Sequence, residues 1–187
     1  MTQSTYSELS KGTIRLHWIV GIMMILLLAT GIYMEETETF ALYPWHKSFG
    51  VLVLLFALVR IAWRIRKGWL NPVGAYSSIE KNLSKLIHWL LIVATVILPV
   101  SGFMMSVMGG HGADFFGLEL VGRNINPDNP REVIPLNESL AGMAHTVHGL
   151  GGNLLLFALS LHVMGAFKHH LVDKDSTLRR MIGVRAS

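Results

Sequence analysis

Four uninterrupted apolar windows, at 14–34, 43–63, 83–108 and 140–167, constrain this chain more than any other feature. A helix of about 20 such residues crosses the ~30 Å hydrocarbon core of a bilayer. There each backbone polar group has to be satisfied within the protein. A soluble bundle would show polar stripes at helical spacing, and Ile22 to Ala29 and Gly50 to Val59 have none. The expected fold is all-α: a four-helix transmembrane bundle, forming a single membrane domain over 1–187 with an outer loop at 109–139. Composition agrees, with 51% hydrophobic and 15% charged residues and a mean hydropathy of +0.46. The first window is too long for the apolar core of a secretory signal and lacks a small-x-small cleavage site, so it reads as an uncleaved span.

Charge sorts the ends of these spans. Of 16 Lys and Arg residues, 13 lie in the first tail, the 60–85 connection and the final tail. The 35–47 and 108–139 connections hold only Lys47, Arg123 and Arg131, against 8 of the 12 acids. The positive-inside rule then places both termini in the cytoplasm and these two connections outside. The pI of about 9.6 is a topology signal and lends no support to nucleic-acid binding.

Local signals fill in the connections. Glu35, Glu36 and Glu38 make a short acidic outer turn, and Arg60, Arg64, Arg66 and Lys67 close the second span. Pro72 and Gly74 interrupt the helix after the turn Gly68-Trp69-Leu70-Asn71-Pro72. Pro99, followed by Gly102, predicts a kink in the third span. The 109–139 connection contains Pro127, Pro130 and Pro135 and is expected to carry a short surface helix, and Asn137 is placed to cap the fourth span. Trp18, Trp45, Trp63, Trp69 and Trp89 mark span ends, as interfacial residues do.

Histidines carry the chemistry. His17, His46, His148 and His162 lie inside or at the lips of the four windows, where an ionisable group is costly and usually functional. His148 and His162 are 14 residues apart. At ~100° and ~1.5 Å per residue they point within ~40° of each other, ~21 Å apart along one helix. Depth pairs His46 with His148 at the outer face and His17 with His162 at the inner. Two bis-histidine sites for metal or haem iron follow. Zero cysteines excludes thiolate clusters and covalent c-type haem.

Glycines favour haem. Gly21, Gly50 and Gly152 each follow a candidate histidine at i+4, and Gly165 follows His162 at i+3. A glycine there lets a flat macrocycle approach the backbone, although small residues also serve helix packing. His88, at the depth of His17, is the rival inner ligand, but Ile92 stands at its i+4 position. His145 points ~100° away from His162. His169 and His170 lie at the inner lip and read as interfacial residues or as neighbours of a quinone headgroup rather than as ligands, and His111 reads as a solvated residue of the outer loop. Arg60 shares the face of His46 at inner depth and suits a haem propionate or quinone oxygen, with snorkelling as the plain alternative. Arg15 and Arg64 read the same way, and Lys47 suits outer propionates. The methionines read as apolar fillers.

Arg15-Leu-His17-Trp18, His46-Lys-Ser-Phe-Gly50, the pair His148 and His162, and the run Lys168-His-His-Leu-Val-Asp-Lys-Asp-Ser-Thr-Leu-Arg-Arg180 resemble the bacterial cytochrome b561 family of di-haem membrane cytochromes b. The resemblance covers nearly the whole chain except the 109–139 loop. It implies two haem b groups with iron on His17, His46, His148 and His162. It also implies the bacterial inner membrane, ubiquinone or another quinone as exchangeable substrate, and His17 over His88.

The first functional reading is an electron-transfer protein passing single electrons between a quinone pool and a periplasmic redox partner, with quinone near Arg60, Arg64, His88 and His169. Two axial imidazoles leave iron no open position, so no catalytic residue is assigned. Some relatives are described as superoxide oxidases, which makes a superoxide:ubiquinone oxidoreductase the alternative. Eight outer acids speak against bulk steering of an anion. A third reading is the cytochrome b subunit of a larger dehydrogenase or hydrogenase. A histidine-based metal transporter would want carboxylates at mid-membrane, and the window centres carry none.

Overall fold

The computed structural model describes residues 9–68, 73, 74 and 76–184. The turn expected at 68–72, and Trp69 with it, lies largely outside the described residues. Four long helices dominate: α1 (Lys11–Thr37), α2 (Tyr43–Lys67), α3 (Ser78–Met108) and α4 (Glu138–Leu171). All four are long and apolar enough to cross a membrane. Only 11% of the most apolar window of α1 is buried within the protein, so most of its apolar surface suits lipid rather than a core.

Local chemistry sets the helix ends. The Ser10 hydroxyl accepts from the Thr13 N–H at 3.3 Å to start α1. Pro44 stands in the first turn of α2, where its missing N–H costs nothing. Ser77 and Glu80 form a reciprocal capping box on α3. The Asn137 side chain accepts from the Leu140 N–H at 3.0 Å, capping α4 as its sequence position predicts. A short α5 (Thr177–Met181) folds back on the basic face, where the Trp18 indole donates to the Met181 carbonyl at 2.7 Å.

The core sits at mid-depth. Val20 and Met24 of α1, Val53 of α2, Ala94 and Leu98 of α3 and Leu155 of α4 form one buried cluster. Leu155 is seven residues from both His148 and His162, and Val53 is seven from His46 and seven from Arg60. Seven residues is close to two full turns, so an apolar plug separates an upper and a lower histidine level on shared faces.

The outer connection corrects one expectation. Among the described residues, 109–137 contains no helix; it forms a hairpin of β1 (Ala113–Phe115) and β2 (Leu118–Val121). Phe116 and Gly117 take φ of 49° and 88°, the left-handed pair of a tight hairpin turn. Proline spacing hid this, because the strands lie before the prolines. The hairpin is pinned to α2. The buried Ser48 hydroxyl accepts from the Phe116 N–H at 3.0 Å, and Phe116 packs on Phe49 with ring centroids 5.2 Å apart.

Candidate functional site

The bundle brings four histidine rings into two facing pairs. His46 and His148 lie with ring centroids 6.4 Å apart and planes at 78°. His17 and His162 lie 6.2 Å apart with planes at 55°. A metal held between two imidazoles by bonds of about 2 Å separates ring centroids by about 6 Å, because each ring centre lies roughly 1 Å behind its nitrogen. Both pairs fit that spacing.

The outer pair is oriented by hydrogen bonds. His148 Nδ1 donates to the Leu98 carbonyl at 2.9 Å, with the Ser101 hydroxyl at 3.2 Å. His46 Nδ1 lies 3.2 Å from the Thr30 hydroxyl, whose own proton goes to the carbonyls of Leu26 and Leu27. Partners on Nδ1 fix the tautomer and leave Nε2 for a metal. These supporting groups escaped the sequence reading, although Thr30 and Ser101 are polar residues inside apolar windows, a signal that was there to use. Gly102 was read only as part of a kink. A Cβ there would stand 3.0 Å from His148 Cε1, so the glycine makes room for the ring.

The inner pair differs. Arg60 Nη2 lies 3.2 Å from His17 Nδ1. A guanidinium only donates, so Nδ1 accepts and the proton sits on Nε2. The rival His88 approaches His162 with centroids 5.2 Å apart, too close for an iron between them, and its Nδ1 contacts the Ser84 carbonyl at 2.6 Å. His88 is therefore a third imidazole at the edge of the inner pair.

The remaining expected residues fall around these pairs. A Cβ built on Gly21, Gly50, Gly152 or Gly165 meets nothing within 4 Å. Space therefore lies open over the backbone beside every facing histidine. Lys47 turns to the hairpin: its ammonium donates to the Ser106 hydroxyl at 3.3 Å and the Gly112 carbonyl at 3.5 Å, with the Asp114 carboxylate at 3.9 Å. Arg60 and Arg64 are half-buried on the inner part of α2, whereas Arg15 is exposed on α1. His111 is exposed beside the hairpin; partial desolvation of its ring, with the Lys47 and Arg123 charges nearby, lowers its pKa from the usual 6.5.

Four helices long and apolar enough to cross a membrane, with histidine rings facing one another at two levels, define the class of protein. The chain belongs to the prokaryotic cytochrome b561 family, which matches residues 8–184. It is 26% identical to cytochrome b561 homolog 2 of Escherichia coli K12, over 91% of this chain and 89% of that one. It is 28% identical to a probable superoxide oxidase, CybB, of Yersinia pestis, with 95% of each chain covered. It is 23% identical to cytochrome b561 homolog 1 of Escherichia coli K12, over 94% and 97% of the two chains. The family implies haem b in a bacterial membrane protein. The residues fit the group: imidazole pairs at bis-ligand spacing, beside glycines whose missing side chains leave a cradle.

Proposed function

We propose that this protein is a di-haem b electron carrier of the bacterial inner membrane, with both termini cytoplasmic and the 109–139 segment periplasmic. His46 and His148 hold the outer haem; His17 and His162 hold the inner. The observation that carries this reading is the pair of centroid spacings, 6.4 and 6.2 Å, each bordered by open glycine faces. Haem supplies reversible one-electron chemistry; the chain sets spacing, ligation and electrostatics. A haem held by two imidazoles would have no place for an added ligand, so the chemistry it would supply here is electron transfer, with the four histidines holding it.

Each residue then has a stated task. Arg60 at inner depth offers its guanidinium to a propionate, which requires it to leave His17 Nδ1. That departure frees Nδ1 to carry the proton while Nε2 binds iron. Arg64 and Arg15 supply further cationic charge at the inner lip, and Lys47 supplies it at the outer. Gly21, Gly50 and Gly152 let the macrocycles lie against the helices. Arg60, Arg64, His88 and His169 would border a quinone exchanging electrons at the inner level, and a periplasmic redox partner would do so at the outer level.

A reduced-minus-oxidised spectrum with pyridine haemochrome quantitation of purified protein tests this. Two haem b per chain are expected; a stoichiometry near zero removes the reading.

The similarity to the Yersinia pestis CybB, a probable superoxide oxidase, favours a second reading. Two superoxide anions would each give one electron and leave as O2, and a quinone would take both electrons with two protons. Rapid mixing of superoxide with the oxidised protein decides it. Haem reduction at rates well above spontaneous dismutation supports the oxidase, and no reduction leaves the carrier.

A further inference from the structure

The hairpin between α3 and α4 ends in an apolar tip that the histidine pairs do not use. Phe116 sits at its turn with φ of 49°, a conformation that crowds a side chain and is seldom given to a large one. Ring contacts fix its place: its centroid lies 5.2 Å from Phe49 and 6.1 Å from Trp45, edge-on to both. Leu118 is 65% exposed, Leu120 46% and Trp45 59%. From Phe115 to Leu118 the tip carries no charge.

Depth decides what this surface meets. Phe49 lies six residues beyond Tyr43, the first residue of α2, which is ~9 Å along the helix at ~1.5 Å per residue. Trp45 stands in the first turn of α2, where a spanning helix carries its interfacial aromatic belt. The hairpin therefore turns back along α2 until its tip is level with the second turn of a span. Val59, 14 residues past Trp45 and so within ~40° of its direction, is exposed as well. The tip thus continues an apolar face that runs down the membrane-spanning part of α2.

Charge narrows the partner. Asp114 pairs with Glu119 and Phe115 with Leu118. Successive pairs alternate between the faces of a ribbon, so carboxylates stand on one face and apolar side chains on the other. Lys47 meets Asp114 at 3.9 Å, while Glu119 and Arg123 are both exposed. We propose that the hairpin is a re-entrant anchor whose tip, Phe116 to Leu118, inserts into the leaflet on its own side of the membrane and binds zwitterionic phospholipid. Glu119 meets the headgroup ammonium and Arg123 the phosphate. The leaflet is periplasmic in the orientation proposed above, and the anchoring holds in either orientation. Apolar contact with acyl chains offsets the steric cost of the Phe116 backbone. Because Ser48 accepts from the Phe116 N–H, the anchor is tied to the helical turn that presents His46.

The experiment places the holoprotein, one copy per nanodisc, in phosphatidylethanolamine or phosphatidylglycerol bilayers. A phospholipid carrying a diazirine near the glycerol end of its acyl chain is photolysed, and peptides are read by mass spectrometry. Adducts are expected at 116–120 and not at 124–132. The chain has no cysteine, so Leu118→Cys and Asp128→Cys report water access through their alkylation rates with a membrane-impermeant maleimide. In phosphatidylethanolamine, Leu118→Cys should react roughly tenfold more slowly than Asp128→Cys, and phosphatidylglycerol should shrink that ratio severalfold. Adding Phe116→Gly, which suits the left-handed backbone but removes the ring, should speed alkylation of Leu118→Cys with haem content unchanged. Equal alkylation of the two cysteines with no adduct at the tip places it in water and overturns the anchor. Slow alkylation without a lipid adduct means that the protein itself covers the tip, and protection found only in discs with two copies means that a second chain does; either overturns it. Equal protection in the two lipids overturns the headgroup assignment. The adduct is read on the unaltered chain, so the test stands if a cysteine variant misfolds.

Discussion

His148 Nδ1 and the Leu98 carbonyl meet at 2.9 Å, so an axial-ligand candidate on α4 is oriented by the backbone of α3. Leu98 immediately precedes Pro99, and a helical proline removes a backbone donor and loosens the ladder around it. The same carbonyl also accepts from Ser101. Gly102 lies opposite the ring, so one turn of α3 supplies both the acceptor and the clearance. Gly102→Val should therefore displace His148 rather than merely crowd it. The outer haem is expected to fall below half occupancy while the inner haem stays, resolved by pyridine haemochrome counting and low-temperature EPR of the remaining low-spin signal.

Gly50 and Gly152 answer a different question, because a side chain there meets nothing in the protein within 4 Å. If their role were helix packing, Gly50→Leu or Gly152→Leu would unsettle the bundle. If they face a macrocycle, the bundle keeps its helicity and thermal stability in the haem-free form but fails to take up the outer haem. Circular dichroism of apoprotein expressed under haem limitation, beside haem titration, separates the two. Retained stability with tenfold weaker uptake is the expected result.

The third inner imidazole gives a sharper contrast. His17→Ala should abolish the low-spin inner haem, since His88 stands too close to His162 for iron to fit between them. His88→Ala should leave both haems six-coordinate. A low-spin inner haem surviving in His17→Ala and lost only on adding His88→Ala would reverse the assignment.

The sequence made the stacking of the four rings legible because two simple periods decide it. Helical phase puts His148 and His162 on one stripe, and the in-out order of spans sets the depth of His17 and His46. The number of spans followed from window length alone. What stayed hidden is tertiary. Nothing local announces that Ser48, one residue past Lys47, reaches 68 residues along the chain to hold Phe116. The hairpin partners of Lys47, namely Ser106, Gly112 and Asp114, were not legible because they are distant in sequence. The hairpin itself is a two-residue turn without an Asn-Gly signal: Phe116 occupies a left-handed position that sequence statistics reserve for smaller residues.

The outer segment should respond to acid. His111 keeps a pKa below 6.5 through partial desolvation of its ring and the neighbouring Lys47 and Arg123 charges. A depressed folded pKa means that its contribution to stability is complete above 6.5 and is lost as pH falls through the folded value. The protection factor of the Asn124 N–H, which donates to the Gly110 carbonyl at 2.9 Å, should therefore fall as pH drops below 6.5. His111→Gln should flatten that dependence; an unchanged acid response in the variant would assign it to other groups.

Ser48 offers the most local test of how the hairpin is held. Its side chain is almost wholly buried, donates to the Pro44 carbonyl at 2.8 Å, and accepts from the Phe116 N–H at 3.0 Å. Ser48→Ala removes little volume but leaves that N–H without its acceptor, a loss of about 1–3 kcal/mol if it stays buried. The hairpin can limit the loss by lifting Phe116 off Phe49 and Trp45 into water or lipid headgroups. Protease cleavage between 112 and 121 is then expected to speed up roughly tenfold, while cleavage elsewhere and inner haem content stay at wild-type values. Ser48→Thr keeps the hydroxyl and should restore much of the protection; equal cleavage in Ser48→Ala and wild type would show that the aromatic contacts alone hold the hairpin down.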